Sequence, residues 1–107
     1  MDPTTAADVE LPGELTLATW RRTITQVAVA LDAAHERLVL ECSALEAFDD
    51  EGIAFLLGLA EHGTKRQLRV VLRNPPSALR ARLELGGFAW LFEWWPLLVE
   101  PADDRPV

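Results

Sequence analysis

The sequence predicts an α/β domain of about four strands in a mixed sheet, with three or more helices packed mainly on one face. Three observations point there. Two short apolar runs, Leu38-Val39-Leu40 and Val70-Val71-Leu72, have the continuous hydrophobicity of strands covered on both faces. Between and around them, apolar residues recur at helical steps of three and four. Proline and glycine punctuate the joins, so strand-like and helix-like segments alternate along 107 residues.

Taken in order, Ala7, Val9 and Leu11 alternate with Asp8 and Glu10, as in a short strand. Pro12-Gly13 turns the chain, and Thr16 is placed to cap a first helix with the stripe Leu17, Trp20, Ile24, Val27 and Leu31. Arg37–Cys42 reads as a second strand. A second helix runs from about Asp50 to His62, and Gln67–Arg73 reads as a third strand. Asn74-Pro75-Pro76-Ser77 opens a third helix that Gly86-Gly87 closes. Leu97-Leu98-Val99 is the expected last edge strand. A single domain over 7–99 follows, with flexible termini at 1–6 and 101–107.

Composition narrows the function. A quarter of the residues are charged and half are hydrophobic, the balance of a soluble globular chain. The net charge of −7 disfavours nucleic acid and anionic membrane as partners. No apolar run reaches the length of a membrane span, and the acidic first residues lack the features of a signal peptide, so a cytoplasmic location is expected. Charge is nonetheless segregated. Glu41, Glu46, Asp49, Asp50 and Glu51 lie close together, whereas no acid falls between His62 and Leu83. Solvated faces explain such blocks most simply, and acidic and basic docking surfaces are the sharper reading.

Catalytic signals are weak. His35, His62, Ser43 and Cys42 show no nucleophile–base spacing, and the lone Cys42 shares a strand face with Leu38 and Leu40, where it serves as a small apolar residue. No cofactor is expected, and the six glycines form no phosphate-cradling loop. The informative stretch is Phe48-Asp49-Asp50-Glu51-Gly52, at the entrance to the second helix. Asp49 suits the cap, and Asp50 and Glu51 complement the helix dipole. A cap explains one or two of the three acids. A metal-dependent enzyme using Asp49, Asp50 and Glu51 is a remote alternative, because consecutive residues converge poorly on one ion.

The second helix has a core stripe of Ile53, Leu56, Leu57 and Ala60, with Phe55 and Leu59 off it. A helix apolar nearly all round needs cover on more than one side. The aromatic stretch around Trp90 and Trp94 likewise either folds under the sheet or anchors a partner.

Three segments in register resemble one family. VLECSALEAFDDEGIAFLLGLAEHG (39–63) is similar to the central signature of STAS domains, the fold of bacterial anti-sigma factor antagonists. GELTLAT (13–19) and LRNPPSALRARLELGGFAWLFEW (72–94) resemble that family's first turn and closing block. The resemblance covers about residues 7–99. It implies a STAS fold and a non-enzymatic protein-binding module in bacterial signalling and transcription regulation. The antagonists bind a GHKL-type kinase that is also the anti-sigma factor, and phosphorylation of a serine at the start of the second helix releases it. Here Asp49 stands at the signature aspartate, Asp50 at the phospho-acceptor and Glu51 at the second hydroxyl position, while Gly52 keeps the glycine. A permanent carboxylate therefore replaces the acceptor, and the chain is not phosphorylatable at the usual site. The expected partner contacts are Ile53, Phe55, Leu59, Trp90 and Trp94. Few residues precede Ala7, fewer than the family's usual extra strand needs. The chain thereby also resembles the small STAS subunit of phospholipid-trafficking ABC transporters, which docks on the ATPase. The same shortening leaves a sheet edge open to homodimerisation. Arginine outnumbers lysine nine to one, as in high-GC bacteria.

Overall fold

The computed structural model describes residues 6–96. Its elements are β1 (Ala6–Glu10), β2 (Glu14–Leu15), α1 (Trp20–Ala33), β3 (Arg37–Glu41), β4 (Ala47–Phe48), α2 (Asp50–Lys65), β5 (Arg69–Arg73), α3 (Ser77–Leu85), a 3-10 turn (Ala89–Leu91) and β6 (Glu93–Trp95). Strands β1, β3, β5 and β6 form one sheet in that spatial order, and β2 pairs with β4 in a second, two-stranded one. The α/β fold with its helices on one face is as expected.

The pairings differ in one respect. Every described pairing is parallel, where a mixed sheet is expected. Parallel neighbours need a crossover, and α1, α2 and α3 each supply one. The fourth strand is Glu93–Trp95, and the expected Leu97–Val99 strand lies outside the described residues. So do 1–5 and 101–107, where flexible termini are expected; Ala6 already belongs to β1.

Helix α1 begins at Trp20, with Thr19 rather than Thr16 at its N-cap position and no side-chain capping bond. Thr16 and Thr19 instead tie the preceding loop. The Thr16 N–H donates to Thr19 Oγ1 at 2.9 Å, and that hydroxyl donates to the Glu14 carbonyl. Leu17 thus leaves the helix stripe and is 65% exposed. At the other end of the chain, α3 closes with paired N–H bonds, Gly87 to the Glu84 carbonyl and Phe88 to that of Leu83. Gly87 takes the positive φ of 79° that this closure requires.

The core lies between the helices and one face of the sheet. There Leu38, Leu40, Val70 and Leu72 meet Val27, Leu56, Leu79 and Leu83, all 1% exposed or less. On the opposite face Val39 and Val71, paired in register, are buried but lie outside the core cluster that joins the sheet to the described helices. Register places Arg37 beside Arg69 on one side of them and Glu41 beside Arg73 on the other, with Glu93 opposite Val71. These side chains interlock: Arg73 Nε reaches Glu41 at 2.6 Å, its Nη2 reaches Asp8 at 3.0 Å, and Arg37 Nε reaches Glu93 at 3.2 Å. Arg37 also lies over the Trp95 ring. The sheet face that carries the two valines thus also carries a set of linked, partly shielded ion pairs.

Candidate docking site at the start of helix α2

Strand β4 delivers the acidic turn to a defined place. Its pairing with β2 sets Leu15 against Phe48, so the acids leave β4 beside the loop that leads into α1. Asp49 has extended backbone angles, and its carboxylate accepts from the Gly52 N–H at 2.9 Å through Oδ1. Through Oδ2 it also accepts from the Leu17 N–H at 3.1 Å. One side chain therefore caps α2 and staples it to the β2–α1 loop. The N–H groups of Leu17, first, and of Gly52 hold its carboxyl below the ordinary carboxylate range.

Gly52 is required by packing. A Cβ there would run into the Leu15 carbonyl, whose carbon would lie only 2.9 Å away. The helix start can approach β2 this closely only without a side chain.

Asp50 points outward, its side chain 87% exposed, and pairs with Arg82 of α3. Glu51 is exposed and makes no ion pair among the described residues. The three acids thus divide: Asp49 is structural, while Asp50 and Glu51 face solvent. Leu17, bonded to Asp49 through its N–H, lies beside them, and Leu85, one turn beyond Arg82 on α3, is 87% exposed. The start of α2 thus presents two exposed acids with a guanidinium at one edge.

The five expected contact residues separate by burial. Ile53 and Leu59 are 7% and 6% exposed and belong to the core, so the chain's own fold covers them. The buried face of α2 is rotated toward Leu59 and Gly63, leaving Leu57 half-buried at its margin. Phe55 is half-buried, its ring 6.3 Å from that of Trp20. Trp94 is engaged internally, donating to the Ala89 carbonyl and packing edge-on against Phe92 under Arg80. Trp90 alone of the five is largely exposed, at 74%. Leu17, Arg82 and Leu85 escape sequence reasoning. Leu17 fits the α1 stripe by spacing, and Arg82 meets Asp50 only across tertiary structure.

Cys42 is a free, buried thiol. Burial pushes its thiol up to about 12, which leaves it protonated and unreactive. Both histidines are exposed on the surface. Among the described residues no group of three or more His, Cys, Asp or Glu side chains is placed to hold a metal ion. No helix there is long and apolar enough to cross a membrane.

A family model described as "Mlab, STAS domain" matches residues 3–98. The chain belongs to the STAS domain family. STAS domains are generally non-enzymatic modules that bind other proteins. No curated protein matches the chain.

Proposed function

We propose that this STAS domain is a non-enzymatic protein-binding module of bacterial regulation, anti-sigma factor antagonist-like, whose switch is held in one state. The observation that carries the reading is Asp50. It stands at the exposed start of α2, at the position where the antagonists it resembles carry a phosphorylatable serine, and a guanidinium from α3 holds it. Its charge is constant, whereas a phosphate would add about −1.5 to −2 and could be removed. The carboxylate is planar and carries less charge, so its effect on a partner resembles phosphorylation only in sign. Binding through this surface is therefore constitutive, set by the sequence rather than by a kinase and phosphatase.

Affinity for the anti-sigma factor kinases of the host, measured for the wild type and Asp50→Ser, tests this. Binding by one or both, with the serine variant alone gaining phosphorylation, supports the reading. No binding by either overturns it.

A second reading is the small STAS subunit of a phospholipid-trafficking ABC transporter, docked on its ATPase. It is favoured by the apolar end formed by Leu85, Phe88 and Trp90, which are 87%, 39% and 74% exposed, because a permanent contact tolerates such surface. Stoichiometric copurification with an ATPase from the host would establish it.

A further inference from the structure

Helix α2 carries a second surface, on the side away from the sheet. Glu51, Ala54, Phe55, Gly58, His62 and Lys65 recur at steps of three and four along its outer face. Beside them runs an apolar groove of about 360 Å3 between α1 and α2, floored by Val27 and Leu59 and walled by Ile24, Leu31 and Phe55. Ile24 is 40% exposed there.

Gly58, in that wall, is unexplained by the fold. A Cβ at Gly58 would meet nothing within 4 Å, in contrast to Gly52. Glycine in a helix interior costs roughly 1 kcal/mol relative to alanine. Its one structural consequence here is to let another backbone come close.

The charges name the occupant. Glu51 and Lys65 lie at opposite ends of the stripe, each seven residues from Gly58, and neither makes an ion pair among the described residues. A stripe acidic at its start, small and apolar at its centre and basic at its end complements its own antiparallel copy. We propose that α2 pairs antiparallel with α2 of a second copy across a two-fold axis at Gly58, each helix lying along the other's α1–α2 groove. The pairing sets Glu51 of each chain against the Lys65 of its mate and opposes the two helix dipoles favourably. It uses Gly58 for close approach and covers Phe55 and Ile24. It goes beyond the reading of Asp50 and does not require it.

Sedimentation equilibrium of the full chain over a range of concentrations tests the pairing. The expected result is a reversible dimer that weakens with added salt. Gly58→Gln and Glu51→Lys should each weaken it by roughly tenfold. Glu51→Lys combined with Lys65→Glu should restore it, because the swapped charges again meet their opposites. If Gly58→Gln fails to fold, as judged by circular dichroism, the charge swap decides alone. A monomer at every concentration overturns the proposal. So does a dimer indifferent to these substitutions, or a swap that restores nothing.

Discussion

Asp49 and Gly52 show how a run that looks functional divides at the scale of single residues. Asp49 takes two N–H donors, one from its own helix and one from a loop more than thirty residues earlier. Gly52 permits the approach that makes the second of these bonds available. Gly52→Ala should therefore destabilise the domain by about 3 kcal/mol, since the Leu15 carbonyl must be displaced and the β2–β4 pair with it. Chemical denaturation measures the loss, and an unchanged midpoint would show that β2 yields freely. The acid run was legible in the sequence as a helix start with more charge than a cap needs. Which acid does which job was not, because the deciding partners, the Leu17 N–H and Arg82, are distant along the chain.

At the scale of elements, the sheet face away from the described helices is organised by linked charges. Val39 and Val71 share that face with the Asp8–Arg73–Glu41 and Arg37–Glu93 pairs. Arg73 foremost, with donors from Ser43 and Asn74 and against the cost of burial, lowers the Glu41 carboxyl from an ordinary value of 4.5 to about 2. Because the folded value lies below the unfolded one, the pair stabilises fully above about pH 4.5 and is lost as pH falls toward 2. Glu41→Gln should cost about 1 to 2 kcal/mol at neutral pH and flatten the acid limb of stability between those values. Denaturant titrations of the two proteins at a series of pH values check this; parallel curves would refute it. The apolar triplets in β3 and β5 were readable as strands covered on both sides. Which charges pair across that face was not readable, because alternation along a strand does not give the register of its neighbours.

For the whole molecule, one core joins all three helices to one side of one sheet, and Cys42 sits within it. Its thiol should react with a disulfide reagent only when the core opens. Labelling should therefore be slow under native conditions and should accelerate across the unfolding transition. Rapid native-state labelling would mean that the β3 end opens independently. The parallel order β1-β3-β5-β6 also places the docking site: it brings the ends of β2 and β4 and the starts of α1 and α2 to one edge, with α3 beside them.

The sequence alone determined the fold class, the order of the main elements, the family and the unusual acids at the start of α2. Periodicity, turn residues and a motif in register are local quantities that survive without coordinates. Tertiary structure decided that Leu17 is exposed and Leu59 buried, that Asp49 is a staple and Asp50 a surface charge, and that Gly52 is required while Gly58 is not. Each of those distinctions depends on what lies within a few ångströms across the fold, and residues brought that close come from parts of the chain whose spacing carries no record of their meeting.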